Sequence, residues 1–106
     1  MAKFLLEANY SVEGAKGLIK EGGSKRREAA KAAVQSVGGK MESFYFAFGG
    51  TDAFVIFDAP DNASAAAASA AINSTGLVQA RTVVLLTPEE VDAAVKKNVK
   101  YRAPGQ

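Results

Sequence analysis

The side chains available for acid–base chemistry are few, because the sequence contains no His and no Cys. General acid–base catalysis would therefore fall to carboxylates, Tyr and Lys. A Ser-His-Asp triad, a Cys-His dyad and a zinc site built from Cys and His are excluded. Asp52, Asp58 and Asp61 are the acidic residues that come nearest to a cation-binding sequence pattern. Their spacing nevertheless matches no known cation-binding loop. We therefore expect no metal site and no cofactor.

Polar residues recur at alternate positions in two segments that are otherwise apolar. Glu7 and Asn9 share one side of the first predicted strand, and Gln79 and Arg81 share one side of the last. These strands are neighbours in the fold inferred below, so the four side chains would line one candidate ligand cavity between the sheet and a second subunit, with Tyr45 near it. A half-apolar pocket with a few polar groups suits a small organic ligand.

If this group is catalytic, Glu7 or Asp52 is the candidate base, Arg81 would hold a developing oxyanion and Tyr45 would donate a hydrogen bond. Two structural alternatives stay open. Glu7 and Arg81 would form an ion pair that sets the register of an interface. Asp52, which stands next to a Gly-rich turn, would accept hydrogen bonds from backbone amides.

The elements that position these residues follow from hydrophobic periodicity and helix caps. A first helix begins at Val12, with an apolar stripe of Val12, Ala15, Leu18 and Ile19. Further helices are predicted to about Val37 and over 62–74, and a short one after Pro88. The expected N-caps are Ser11, Ser24, Asp61 and Thr87. The predicted strands are 3–9, 40–48, 52–59 and 77–86.

This order of elements predicts an α+β fold. It is the ferredoxin-like βαββαβ plan, with a four-stranded antiparallel sheet and a short extra C-terminal helix. We expect one domain over residues 1–97, followed by a basic, flexible tail over 98–106. Helices would cover one face of the sheet.

The strands are apolar on both faces, which the helices alone cannot cover. In the second strand, Phe44, Phe46 and Phe48 are predicted to share one side. The other side would carry Met41, Ser43, Tyr45 and Ala47. Two apolar faces need two covers. We therefore expect the chain to pair with itself, as a homodimer or a higher homo-oligomer.

The net charge of +2 is unevenly distributed. Without the last eleven residues, nine basic side chains remain against eleven acidic ones. A nucleic-acid partner is not expected, because such proteins carry a basic face on the folded domain. No apolar run approaches a membrane span or a signal segment, so we expect no membrane partner and a cytoplasmic location. The four bases in the last eleven residues are Lys96, Lys97, Lys100 and Arg102.

The sequence becomes recognisable around the predicted hairpin. The segments that carry the resemblance are Gly38-Gly39, Phe44 to Asp52, Phe54 to Asp61, and Gly76 to Thr82, with Gly14 and Arg27. Over about residues 3–90 the chain resembles the GYD-domain family. The motif that names the family reads here Gly50, Thr51 and Asp52, with Thr in place of Tyr.

The resemblance implies a ferredoxin-like fold of the dimeric α/β-barrel type. Related barrels include cofactor-free monooxygenases, isomerases and plain binding proteins, so the fold alone does not determine the function. We expect a homo-oligomeric domain that binds a small organic ligand or serves as an accessory protein. The alternative is a cofactor-independent oxygenase or isomerase.

RNA binding is a third hypothesis, because the RNA-recognition motif has the same element order. Ala53 to Phe57 matches the last five positions of its aromatic octamer. The first three positions do not match, since Gly50, Thr51 and Asp52 stand where a base, a glycine and an aromatic residue are needed.

Overall fold

The central feature of the computed structural model, which describes residues 1–106, is a four-stranded antiparallel sheet. Its strands are β1 (Ala2–Tyr10), β2 (Lys40–Phe46), β3 (Ala53–Ala59) and β4 (Val78–Leu85). They lie in the order β2-β3-β1-β4, so β1 pairs on both sides. This arrangement confirms the predicted α+β, ferredoxin-like fold.

The helices are α1 (Val12–Glu21), α2 (Gly23–Ser36), α3 (Asn62–Ser74) and α4 (Pro88–Val95). None of the four combines the length and the apolar composition needed to cross a membrane. Ser11 caps α1 and Asp61 caps α3, as predicted, and Thr87 forms a capping box with Glu90. Ser24 is not an N-cap, because α2 begins one residue earlier, after the backbone of Gly22 bends at φ 85°. Only glycine adopts such a conformation readily.

The core lies between one face of the sheet and the helices α2 and α3. Phe4 of β1 stacks on Phe57 of β3 with ring centroids 5.5 Å apart. Val34 of α2 and Ala65 of α3 are buried against the same cluster. Since side chains alternate along a strand, the opposite face carries the other residues of each strand, and no element of the chain lies over it. We call that side the open face.

The second strand departs from its predicted alternation. A register shift between Met41 and Ser43 leaves Glu42 as an extra residue, a β-bulge that turns Met41 to the helix side beside Phe44. The prediction that Met41 shares a side with Ser43 is therefore wrong. The strand also ends at Phe46, so Phe48 lies in the following turn, where it is 108% exposed.

Only half of the predicted apolar stripe of α1 is covered, since Ala15 and Leu18 are half-buried. Val12 is exposed, and Ile19 is 84% exposed. The buried residue of this helix is Gly14, whose backbone lies against the carbonyl group of Leu77. That carbonyl accepts hydrogen bonds from the amide and the hydroxyl of Ser11, at 2.9 and 3.1 Å. The helix therefore docks through a glycine and its N-cap.

The outer edge of β4 is paired with a side chain. The Asn73 amide nitrogen donates to the Ala80 carbonyl at 3.1 Å, and the Ala80 amide donates to the Asn73 Oδ1 at 2.6 Å. Asn73 lies in α3, so this amide also ties the helix to the strand.

The segment after β4 stands away from the rest of the chain. No residue of α4 is buried. The Cα radius of gyration is 16.8 Å, whereas a compact chain of this length has about 13 Å. The longest dimension, 55 Å, is consistent with a projecting segment.

Two glycines of α1 provide a matched test of this docking. A Cβ on Gly14 would collide with the Leu77 carbonyl, whereas a Cβ on Gly17 would meet no atom within 4 Å. We expect Gly14→Ala to lower the free energy of unfolding by about 1–3 kcal/mol through overpacking. Gly17→Ala should raise it by about 0.5–1 kcal/mol, because alanine is the better helix former. Urea denaturation followed by circular dichroism measures both, and equal stability of the two variants would contradict the close approach.

Candidate functional site

Three of the predicted ligand-binding residues lie in one row across the open face. Tyr45 pairs with Phe54, Phe54 with Glu7, and Glu7 with Arg81. The row thus crosses all four strands, which are spaced about 4.8 Å apart. Phe54 sits in the middle of it, and the sequence analysis did not include this residue. Phe54 is assigned to this row by the strand register, which the sequence does not specify directly.

Glu7 and Arg81 are direct cross-strand neighbours, yet they do not form an ion pair with each other or with any other side chain. They are half-buried and exposed, respectively. Tyr45, at the other end of the row, is 70% exposed. The open face therefore presents an unpaired acid, an unpaired base and an aromatic ring.

The second row across the open face is mostly aliphatic, unlike the first. Ser43, Ile56, Leu5 and Val83 follow one another across the sheet. Three of these four are aliphatic, and Val83 is 43% exposed. A third row contains Asp58 and Lys3, joined by an ion pair of 3.0 Å. Hydrogen bonds from the Lys3 ammonium group to Asp58 and, with a smaller effect, to Glu42 raise the pKa of Lys3.

Asn9 and Asp52 act on backbone groups rather than on a shared pocket. The Asp52 carboxylate accepts a hydrogen bond from the Tyr10 amide at 2.9 Å. In return, the Asp52 amide donates to the Asn9 Oδ1 at 3.1 Å and to the Ala8 carbonyl at 3.0 Å. These bonds clamp the β2–β3 turn to the end of β1. Asp52 therefore makes the backbone contacts of its structural alternative.

Within the single chain, the predicted ligand residues do not line one common cavity. Asn9 and Gln79, which pair with each other, line an open groove at the end of β1 and β4. Asp52 lines a different groove, beside α1 and Phe48. Glu7, Tyr45 and Arg81 line none of the larger cavities.

The acids weighed as metal ligands lie apart and have other partners. Asp58 pairs with Lys3, and Asp52 binds the Tyr10 amide. The Asp61 carboxylate accepts from the Ser64 amide at 2.8 Å, a cap contact that lowers the pKa of Asp61. No group of three or more His, Cys, Asp or Glu side chains could hold a metal ion.

A cavity of about 80 Å³ lies on the other side of the sheet, between α2, α3 and the strands. Of its 15 lining residues, 14 are hydrophobic and the exception is Arg26. Its walls on α2 are mostly alanines, which leave space above the sheet, and its floor is formed by larger side chains of the strands. The alanines of α2 that line it are Ala29, Ala30 and Ala33, and the floor includes Leu6, Phe44, Val55 and Phe57.

The cavity adjoins a more polar groove of about 570 Å³. Tyr10, Arg26 and Val78 line both spaces, so they lie where the two meet. The Arg26 Nη1 donates to the Glu21 Oε1 at 3.1 Å. Lys20 and Lys25 line the groove and take part in none of the ion pairs of the chain. The apolar cavity, here called the chamber, thus opens towards a groove that contains two lysines without ion-pair partners.

The sequence analysis did not find this chamber. The signal for it was the run of small residues on one face of α2, facing aromatic residues of β2 and β3.

The family of the chain is identified by a sequence match over most of its length. Residues 4–95 match the model of the GYD domain. The chain belongs to the GYD domain family. The resemblance noted in the sequence is thereby confirmed. No curated protein and no solved structure matches this GYD domain significantly.

The matched span of the GYD domain begins in β1 and ends with the last residue of α4. It therefore contains both the open face and the chamber. At the motif that names the family, Thr51 occupies the turn between β2 and β3, and Asp52 follows it. The hydrogen bonds described above all involve Asp52, so the clamp on β1 does not need an aromatic residue at position 51.

The clamp can be tested at Asp52. Replacing Asp52→Ala removes the side-chain acceptor of the Tyr10 amide, which should cost about 1–3 kcal/mol of unfolding free energy. Asp52→Asn keeps an acceptor oxygen and should cost less. Urea denaturation and the hydrogen-exchange rate of the Tyr10 amide are the measurements. If Asp52→Ala were as stable as the unmodified chain, the clamp would carry no stability.

Proposed function

We propose that this GYD domain works as a homodimer that binds a small organic anion, with the apolar end of the ligand in the chamber and its charged head in the adjoining groove. The observation that carries the proposal is the junction at Tyr10, Arg26 and Val78, which connects an apolar space to a cationic one. Ligand sites are mostly apolar with a few placed polar groups.

The size of the chamber limits the apolar end of the ligand. Its volume of about 80 Å³ is roughly half that of an apolar protein cavity that takes benzene, ~150 Å³. A short aliphatic chain suits this volume, and a ring requires α2 to move outwards. Such a movement would also lift Val34 of α2 out of the core, so a short chain is the better fit.

The charge around the groove favours an anionic head. Glu21 already pairs with Arg26, and Glu13 pairs with Lys16 at 3.4 Å. Lys20 and Lys25 are left to attract a carboxylate. Both lysines are exposed, so each contributes a modest, salt-sensitive attraction.

The open face is the feature that supports a homodimer. Aliphatic and aromatic side chains there have no cover in their own chain, and contiguous exposed apolar surface marks an interaction site. Two copies stacked face to face would bury Val83, Ile56 and Leu5 of both sheets at the usual separation of about 10 Å. The unpaired Glu7 and Arg81 would then find partners across the interface.

The ligand proposal is tested with hexanoate and its uncharged analogue hexanol as probes. Isothermal titration calorimetry should show that hexanoate binds more tightly than hexanol by a factor of about ten, equivalent to ~1.4 kcal/mol. Ala33→Leu, which fills the chamber, should abolish the binding of both probes. Lys25→Ala should weaken hexanoate alone.

The control for the filled chamber is Ala32→Leu, the same change at an exposed position on the same helix. It should bind both probes like the unmodified chain. If Ala33→Leu and Ala32→Leu bound hexanoate equally, the chamber would not be the binding site.

The dimer is tested on the open face by sedimentation velocity over a dilution series. Val83→Glu places a charge in the aliphatic row and should shift the chain to monomer, because a buried unpaired charge is costly. Ala32→Glu, on the outer surface of α2, should leave the dimer intact. A dimer insensitive to Val83→Glu would mean that the open face is not the interface.

A further inference from the structure

Arg26 is the one charged residue that lines both the chamber and the adjoining groove. It is the fourth residue of α2, and the residues of α2 that line the chamber follow it at i+3, i+4, i+7 and i+8. This spacing places them all on one face of the helix. With a rise of about 1.5 Å per residue, that face extends roughly 10 Å from Arg26 to Ala33. Arg26 therefore stands where the helical wall of the chamber begins, on the side of the groove.

The present partner of Arg26 is itself a carboxylate. The Arg26 Nη1 donates to the Glu21 Oε1 at 3.1 Å, and this is the only hydrogen bond that the guanidinium makes. A guanidinium has five N–H donors and binds a carboxylate most strongly through two parallel hydrogen bonds. The single bond to Glu21 uses only part of this capacity, so a free carboxylate has room to bind the same group better.

The Arg26–Glu21 ion pair stabilises neither of the helices that carry it. Glu21 is the last residue of α1, and Arg26 lies in the first turn of α2. The helix dipole disfavours an acid at the C-terminal end of a helix and a base at its N-terminal end. The two side chains are 34% and 38% exposed, and exposed ion pairs contribute little to stability. The pair can therefore open while both helices stay folded.

We propose that Arg26 binds the carboxylate of the ligand, and that Glu21 occupies Arg26 until the ligand displaces it. The proposal rests on the function proposed above, because it concerns the same chamber and groove. Lys20 and Lys25 are exposed and attract an anion from solution. Arg26 fixes the carboxylate at the entrance of the chamber. The ligand class is an unbranched alkyl monocarboxylate, whose head replaces the carboxylate of Glu21.

Displacement of Glu21 requires the apolar chain of the ligand. Glu21 is tethered to the same protein and therefore competes at a high effective concentration. A small anion such as acetate gains nothing in the chamber to offset this competition. A longer carboxylate buries methylene groups there, and each buried methylene strengthens binding by about fourfold. The ion pair thus excludes small anions and admits a carboxylate whose chain fits the chamber.

Isothermal titration calorimetry with hexanoate tests both roles. Glu21→Gln removes the competing carboxylate and should strengthen hexanoate binding by about fivefold. Arg26→Gln should weaken it by about tenfold, since a charge-assisted hydrogen bond is lost. In the double variant, Glu21→Gln should give no gain, because both changes act through the same contact. The binding of hexanol should be unchanged throughout.

The neighbouring ion pair of Arg27 and Glu28 provides matched controls. Its atoms are 3.7 Å apart, both side chains are more than half exposed, and neither residue lines any of the larger cavities. Glu28→Gln and Arg27→Gln make the same changes of charge, and each should alter the affinity for hexanoate by less than about twofold. If Glu28→Gln strengthened binding as much as Glu21→Gln, the effect would be one of net charge and the proposal would be overturned.

Side-chain NMR gives a direct readout of the displacement. When hexanoate saturates the unmodified chain, the Glu21 carboxyl carbon resonance should move to its position in Arg26→Gln. The Arg26 Nε–H resonance should shift as well, whereas that of Arg27 should not. Acetate at the same concentration should move none of them. A Glu21 resonance that stays in place while hexanoate binds would contradict the displacement.

The failure of this proposal is distinguishable from the failure of the proposed function. Suppose that hexanoate binds, that Ala33→Leu abolishes the binding, and that Glu21→Gln and Arg26→Gln change nothing. The chamber is then the site, but Arg26 does not bind the carboxylate. If neither the unmodified chain nor Glu21→Gln binds hexanoate, both proposals are wrong.

Discussion

The pairing of β1 with strands on both sides is the constraint on which the rest of the structure depends. Its register decides that Phe4, Leu6 and Ala8 face the helices while Leu5 and Glu7 face outwards. A slip of one residue would exchange the two sets. The register is held at one end of the strand by two separate clamps. Asp52 binds the Tyr10 amide on the side of β3, and Ser11 binds the Leu77 carbonyl on the side of β4. Both clamps lie at the C-terminal end of β1, one at its last residue, Tyr10, and one at the residue that follows, Ser11.

The two faces of the sheet are served by different kinds of side chain. Towards the helices, large residues of the strands meet small ones of α2 and α3, so the layers approach closely except where alanines leave the chamber. On the open face, aliphatic residues alternate by row with Glu7 and Arg81, which suits a surface that is covered by a second, equally mixed surface. Small residues thus create the chamber on one side of the sheet, and the other side carries Glu7 and Arg81 without ion-pair partners.

The sequence predicted the elements well because their boundaries depend on local chemistry. Ser11, Asp61 and Thr87 satisfy amides of their own helices, and this requires no knowledge of the rest of the chain. The errors arose where a distant contact decides the outcome. The bulge at Glu42 is set by pairing with β3, and it reversed the side of Met41. Five of the predicted ligand residues lie on their predicted strands, whereas Asp52 lies in the turn before β3, and the register places Phe54 beside Glu7. The chamber is enclosed by the sheet, α2 and α3 together. The residue pattern of a single helix therefore does not predict it.

The contact between Asn73 and Ala80 has a consequence for the size of any assembly. A bare edge strand is a template on which further chains add, and repeated addition leads to ribbons and aggregates. The Asn73 amide occupies the donor and the acceptor of Ala80 as a neighbouring strand would. At the opposite edge, the bulge at Glu42 interrupts the regular spacing of β2. Neither edge offers an uninterrupted ladder, so growth in the plane of the sheet is suppressed. The open face, by contrast, has no such block to the approach of a second surface.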